Sequence, residues 1–380
     1  MILQVLFWIS FSLLAWTFAG YPLTVLLLSR FLAKPWQNAE FRGAVSMIIA
    51  AHNEQTVIRE KVENCLGLDF GMADPEIIIV SDGSTDGTNA ILQEYSERSP
   101  MLRMVEYQPR AGKANALNVG VSHARGEVLV FGDANVMVGA GSCQALLAPF
   151  ADSAVGAVCG RVLVRARGDQ EIAGESLYMR YEAVVQRAEA MLHSMVGVDG
   201  ALFAIRRDLF RPLPQGIVLD DFMLSMQAPA ARLRIVYAKE AEAVEEVVPS
   251  AKNEFKRKAR IVAGGYQFLA PFARSGRTLS PGMWFALFSH KILRWLAPFF
   301  LLTLLVVNIL LFDIASYRWL LAAQCVFYLL AALGFVIESL RRTYLIYLPY
   351  YFVVVNAAAF QGFFRFLAIR EHVLWEKVER

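Results

Sequence analysis

The sequence predicts an α/β domain seated on a membrane by apolar helices, and three observations predict it. First, the 380 residues are 56% hydrophobic and only 19% charged, with a mean hydropathy of +0.42, whereas soluble domains usually carry about 25% charge. Second, residues 1–29, 295–312, 319–337 and 343–364 contain no charged side chain, and each block is near the ~20 apolar residues that cross a bilayer core. Third, residues 33–283 have ordinary globular composition and alternate strand-like with helix-like patterns, over a length that can bury its own core. Together these exclude a wholly soluble enzyme, a disordered chain and a polytopic transporter with small loops.

The first block lacks a positive n-region, runs past the ~7–15 residues of a signal h-region and is followed by Arg30 and Lys34, so residues 1–32 are expected to be a retained anchor and not a cleaved signal. Residues 45–51 form a short apolar run with a β-branched centre, followed by a helical segment at 56–66 and a second strand at 76–81. A helix-like stretch at 86–98, a weaker strand at 102–106, a helix at 113–124 and a buried strand at 128–132 complete the series. Near-continuous apolar strands alternating with helices indicate a parallel sheet covered on both faces. Ligands of such sheets bind beyond the carboxyl ends of the strands.

Cys65, Cys143, Cys159 and Cys325 lack metal-ligand or disulfide-framework spacing, which fits a reducing compartment. The net charge of +3 is too small to argue for nucleic acid. Residues 252–277, however, hold seven basic side chains against the single acidic Glu254, a belt suited to anionic lipid headgroups.

Two strands run into carboxylates. The second meets Asp82-Gly-Ser-Thr-Asp-Gly-Thr88 and the fourth meets Asp133-Ala-Asn135. Residues 82–88 also suit a turn that caps the next helix; both readings hold if Asp86 caps while Asp82 faces a ligand. No G-x-G-x-x-G follows a strand, and Gly112-Lys113 is continued by Ala114 instead of Ser or Thr. Phosphate-cradling glycine loops are thereby excluded, which leaves carboxylates and a metal ion to hold any nucleotide.

Ala51-His-Asn-Glu54, Asp82-Gly-Ser-Thr-Asp86, Gly112-Lys-Ala-Asn-Ala-Leu-Asn118, Asp133-Ala-Asn135, Asp220-Asp221 and Arg257-Lys-Ala-Arg260 occur in that order, ahead of an apolar C-terminal tail. In this the chain resembles the membrane-embedded family 2 glycosyltransferases, the group of cellulose, hyaluronan, chitin-oligosaccharide and poly-N-acetylglucosamine synthases. The resemblance extends over nearly the whole chain. It implies a GT-A-type nucleotide-sugar-binding domain with transmembrane and interfacial helices, which binds a UDP-sugar with Mg²⁺ or Mn²⁺.

By that resemblance, Asp82 contacts the uridine moiety, Glu54 lines the same pocket and Lys113 faces the donor. Asp133 is the metal ligand. Asn135 stands where the family usually has a second Asp and supplies a carbonyl oxygen without charge, so metal affinity is expected to be lower; Mg²⁺ and Mn²⁺ both suit such oxygen ligands. Asp221 takes the position of the general base and Asp220 that of the Glu preceding it, although adjacent carboxylates also suit a helix N-terminus. Residues 198–206 resemble the acceptor-side strand, with Asp199 and Gly200 beside the acceptor; a glycine there permits close approach. Arg257 lies on the acceptor side, and Arg260 would grip the diphosphate through bidentate bonds. Ile261 replaces the tryptophan on which a growing glycan stacks in processive synthases, so short products are expected. None of the five histidines is placed for catalysis, and His52 reads as local packing.

The expected organisation is an anchor at 1–32, a cytoplasmic glycosyltransferase domain at 33–250, interfacial amphipathic helices at 251–294, C-terminal spans at 295–369 and a tail at 370–380. Arg30, Lys34, Arg341 and Arg342 agree with a cytoplasmic domain in a plasma or inner membrane, while Arg365, Arg370, Lys377 and Arg380 pull the tail inward against four spans. Pro349, Asn356 and Gln361 leave the last block open between spanning, re-entrant and protein-packed arrangements. The expected function is an inverting transferase that extends and secretes a glycan. Single-sugar transfer to a lipid-linked acceptor and a non-catalytic scaffold of an export complex are the alternatives. Expected partners are the nucleotide sugar, a glycan or lipid-linked acceptor, membrane lipids, and an accessory subunit or second copy, with no nucleic acid.

Overall fold

A computed structural model describes residues 1–166, 173–247, 251–274, 276 and 278–368. The expected tail at 370–380, with Arg370, Lys377 and Arg380, lies outside the described residues.

The strands are β1 (Ala44–Ala51), β2 (Asp74–Asp82), β3 (Leu102–Tyr107), β4 (Val128–Asp133), β5 (Val136–Val138), β6 (Val155–Ala166), β7 (Leu202–Arg206) and β8 (Arg234–Val247). They form one sheet of order β3-β2-β1-β4-β7-β6-β8-β5. Helices α1 (Ile2–Phe31), α2 (Ile58–Leu66), α3 (Thr88–Arg98), α4 (Lys113–His123), α5 (Ala173–Leu192) and α6 (Asp220–Ser225) are followed by α7 (Ala251–Arg274), α8 (Pro281–Leu310), α9 (Ala315–Val336) and α10 (Tyr344–Leu367). Shorter helical turns are left unnumbered.

Alternate residues of one strand feed two cores, which is why the apolar runs are continuous. In β1 and β2, Val45, Met47, Ile49, Ile77 and Ile79 pack with Ile58, Val62 and Cys65 of α2 and Leu92 of α3. Ile48, Ala50, Ile78 and Val80 face the other way, onto Ala116, Leu117 and Val121 of α4. Gly120 lets α4 approach, since a Cβ there would lie 2.5 Å from Ile48 Cγ2. The second core also takes in Phe268 and Phe272 of α7 and Met283 and Leu287 of α8. The bases of the membrane-proximal helices therefore share the domain's own interior.

The all-parallel expectation needs correction. β3, β2, β1 and β4 are parallel, but β7 runs antiparallel between β4 and β6. Apolar runs report burial on both faces and carry no information on direction. The chain reaches β7 through 198–201, at the end where β4 finishes, so Gly132 pairs with Leu202 and β7 must run back.

α1, α8, α9 and α10 are long and apolar enough to cross a membrane. The boundary expected at 294, between interfacial helices and spans, does not interrupt the chain: α8 is continuous from Pro281 to Leu310, with Pro281 in its first turn. α10 is likewise one helix of 24 residues despite Pro349, packed along α7. Gly362 permits that packing; a Cβ there would lie 2.6 Å from the Ala259 carbonyl oxygen.

Candidate active site

The carboxyl ends of β1, β2 and β4 meet at one edge of the sheet, in register Ala50–Asp133 and Ala51–Ser81. Loops 52–55 and 84–88 are laced together there: Asn53 N–H donates to Ser84 Oγ, Thr85 N–H to Asn53 Oδ1, and Glu54 N–H to Thr88 Oγ1. Asp86, one residue before the N-cap Gly87 of α3, accepts from Thr88 N–H at 3.0 Å, so the residue forms a turn that leads into the helix and is not its cap. Glu54 is buried within this lacing.

Asp82 is fully buried. Its Oδ1 accepts from Tyr107 Oη at 2.8 Å and Ala111 N–H at 2.7 Å, and its Oδ2 accepts from Gly112 N–H at 2.9 Å. The Arg110 Nε lies 3.8 Å away. Asp82 thus pins the loop that delivers α4, a part that sequence reasoning did not assign to it. Gly112 adopts φ +93° to make that bond, in the region where glycine carries no steric penalty. His52 Nδ1 lies 2.7 Å from the Asp82 carbonyl oxygen, which agrees with local packing.

Lys113, the first residue of α4, reaches across the strand ends. Its Nζ lies 2.8 Å from Asp133 Oδ1 and 3.1 Å from Asp220 Oδ2. Burial alone would lower the ammonium's pKa, but the two carboxylates outweigh it and raise the value. Residues distant in sequence, on α4, β4 and α6, therefore converge around one positive charge.

Asp220 and Asp221 open α6. The Asp221 carboxyl is pushed up to about 7, first by burial and then by the adjacent Asp220, against the pull of Lys113. Its Oδ1 accepts from Phe222 N–H at 2.8 Å. The other oxygen faces Gly200, where an added Cβ would come within 2.8 Å of Oδ2. Neighbouring Asp199 donates its N–H to Cys159 Sγ. The Asp199 carboxyl is also raised, by burial, although Lys291 and a hydrogen bond from Gln186 oppose this. The acceptor-side strand and the candidate base are thus in contact.

α7 packs against the loop that leads into α6. Gln267 donates to the Gly216 carbonyl oxygen and accepts from Val218 N–H, and Gly264 packs on Val218 and Leu219. Arg260 falls on the same helix face, four and seven residues earlier, and makes no ion pair among the described residues. Arg257 instead holds Glu254 of its own helix at 2.8 Å. Asn135 lies in the turn between β4 and β5. That turn is set from below by Lys61, whose Nζ bonds the Val136 carbonyl oxygen, and by Asn64, which brackets Val138. Among the described residues, no group of three or more His, Cys, Asp or Glu side chains is arranged to hold a metal. Asp133 and Asp220 are instead both engaged by the Lys113 ammonium, so a hard divalent ion at Asp133 would need Lys113 to give way and would take its remaining ligands from phosphate and water.

A mixed sheet with carboxylates and a lysine at its parallel strand ends is the frame of a GT-A-type glycosyltransferase. Residues 46–213 match the model of glycosyl transferase family 2, and the chain carries a family 2 glycosyltransferase domain. It is similar to the poly-beta-1,6-N-acetyl-D-glucosamine synthase of Staphylococcus aureus, 24% identical over 243 residues that cover 62% of this chain and 58% of that protein. A probable glycosyltransferase of Bacillus subtilis, YdaM, is 30% identical over 224 residues, 55% of this chain and 53% of the relative. The matched stretch thus spans little more than half the length of these relatives. Among solved structures, the mannosyltransferase PcManGT from Pyrobaculum calidifontis, in complex with GDP-Man and Mn²⁺, superposes with a TM-score of 0.73 at 25% identity. That superposition covers 96% of this chain and 99% of the other.

Proposed function

We propose that the protein is an inverting, metal-dependent transferase that moves a sugar from a UDP-sugar onto a glycan at the cytoplasmic face of a membrane. The observation that carries this reading is the placement of Asp221. A carboxyl with a pKa near 7 sits against the acceptor-side Gly200, within one residue of the Asp220–Lys113–Asp133 group. A general base works best when its pKa lies near the working pH. Asp221 would take the acceptor hydroxyl proton on the face opposite the leaving diphosphate, which is the requirement for inversion.

Asp133, with the Asn135 carbonyl, would hold the divalent ion, which supplies charge neutralisation to the diphosphate. Lys113 and Arg260 would add positive charge on either side of the same leaving group, and Asp82 orients the Arg110–Gly112 loop above it. The poly-N-acetylglucosamine synthase relatives support glycan extension as the product chemistry. A second reading, GDP-mannose as donor with addition of a single sugar, is favoured by the full-length likeness to a mannosyltransferase and by Ile261. The test is incubation of the full chain in lipid vesicles with Mn²⁺ and a panel of UDP-sugars and GDP-mannose, followed by sizing of the product. Turnover of a UDP-sugar to an extended, β-linked product is expected. Consumption of GDP-mannose alone, or a single addition to lipid, would replace the first reading by the second, and no turnover of any donor would overturn both.

A further inference from the structure

Two sets of contacts mark the two ends of the helices of spanning length. At the end next to the domain, His290 of α8 is fully buried, with Nε2 2.9 Å from Glu182 Oε1 and Nδ1 2.7 Å from Glu189 Oε1 of α5. Trp16 Nε1 of α1 donates to Ser289 Oγ of α8 at 3.1 Å, and Tyr21 Oη of α1 donates to Glu189. Lys291 and Arg294 of α8 pair with Glu182 beside them, and such charges belong at a membrane surface, not in hydrocarbon. At the far end, Phe7 of α1, Leu304 and Val307 of α8 and Tyr317 of α9 form a separate apolar cluster. α1 and α8 run between these two levels, and α9 starts at the far one.

The contacts of α9 and α10 fall on the same scale. Phe327 of α9 is about 15 Å along its helix from Tyr317. Its ring meets Phe352 of α10 at 5.7 Å between centroids, and Phe18 of α1 meets Phe352 at 5.1 Å. Further on, a Cβ at Gly334 of α9 would lie 2.9 Å from Tyr350 Cβ and 3.0 Å from Ile346 Cγ2. α9 thus returns to the domain side, and α10 begins there. If α10 then crossed, Phe366 would lie about 21 Å beyond Phe352, past the level of Tyr317. Instead Phe360 and Phe363 pack on Phe299 of α8, at 5.4 and 4.9 Å. Phe366 stacks on Tyr266 of α7 at 5.6 Å, and Tyr266 meets Trp295 of α8 at 5.5 Å. Trp295 adjoins Arg294 of the charged group. Gly362 lies on the α7 backbone at Ala259 and Ala263, while Phe268 and Phe272 of α7 are in the domain core. Both ends of α10 are level with the domain side.

We propose that α10 does not cross the membrane: it enters from the domain side, lies along the bilayer against α7, and ends on the side where it began. The chain then crosses three times, through α1, α8 and α9. Arg365, in the last turn of α10, stays with the domain, in keeping with the preference of basic residues for the cytoplasmic side. None of the catalytic assignments enters, so absence of transferase activity would leave the topology standing.

Two measurements on the full chain carrying Cys325→Ser test it. Leu348→Cys and Leu367→Cys, at exposed positions near the two ends of α10, each take a nitroxide label in vesicles of phosphatidylcholine and phosphatidylglycerol. Relaxation by oxygen and by a water-soluble nickel chelate gives the depth of each label. A crossing helix sets the two about 28 Å apart along the membrane normal; a separation under half of that is expected. A larger one overturns the inference. The second measurement labels Ala368→Cys, also exposed, with an impermeant maleimide in cells. It is expected to share the pattern of Glu60→Cys in the domain and to differ from Asp313→Cys between α8 and α9, whichever side the domain faces. Reaction of Ala368→Cys in the pattern of Asp313→Cys would show that α10 spans.

Discussion

Asp221 shows how burial and a neighbouring carboxylate change the proton affinity of an ordinary side chain. The native state keeps its proton up to about pH 7, whereas an unfolded Asp releases it near 3.9. Between those values unfolding releases a proton, so this residue's contribution to stability falls as pH rises from about 4 to 7. Asp221→Asn should therefore raise Tm relative to the unsubstituted protein at pH 8 and not at pH 4, as differential scanning calorimetry can read. The same variant should lose on the order of 10²–10⁴ in turnover, the usual worth of a general base, with donor affinity retained; collapse of donor binding would make Asp221 a binding residue. The departure at Asn135 allows a complementary gain. Asn135→Asp adds a carboxylate beside Asp133, and the Mn²⁺ concentration giving half-maximal activity should drop several-fold. No change in a metal titration would remove Asn135 from the coordination shell.

Individual elements meet at glycines, and those contacts set the geometry between membrane and site. Gly362 brings α10 onto the backbone of α7 at Ala259, one residue from Arg260. Gly362→Ala should destabilise by about 1–3 kcal/mol through overpacking and raise donor KM, because α7 carries Arg260 and the Gln267 bracket on loop 216–218. Retained donor KM with the stability loss would separate α7 from donor binding. Much of the element plan was legible beforehand: the runs at 45–51, 76–81 and 128–132 are β1, β2 and β4. Absent from that plan were β5, β6 and β8, the reversed direction of β7 and the continuity of α8. Apolar patterning encodes burial, while strand direction and helix continuity depend on where the chain must next go.

At the scale of the whole molecule, the domain lies between the first and second helices of spanning length, and its orientation can be read chemically. Cys325 is the only exposed thiol among the described residues, so replacing it by Ser leaves a quiet background. A cysteine at exposed Glu60 should react with an impermeant maleimide only after permeabilisation, and one at exposed Asp313, between α8 and α9, should react in intact cells. The reverse pattern would place the domain outside and rule out cytoplasmic nucleotide sugars as donors.

The amino-acid sequence by itself determined the membrane blocks, the strand–helix alternation and the chemical types at the site, because composition and periodicity are local properties of the chain. Asp82, Lys113, Asp133 and Asp221 could be named from it as candidates. Their relation to one another was a matter for the tertiary structure alone: Lys113 between Asp133 and Asp220, Asp221 against Gly200, Asp82 bonded to its own loop. So was the lock of His290 on Glu182 and Glu189. The i, i+4, i+7 spacing of Glu182, Gln186 and Glu189 was visible in the sequence as a polar face, but the α8 partners of Glu182 and Glu189 lie 101 to 112 positions further along the chain. Charge pairing across such separations follows from which helix faces the fold buries together, and no local pattern carries that information.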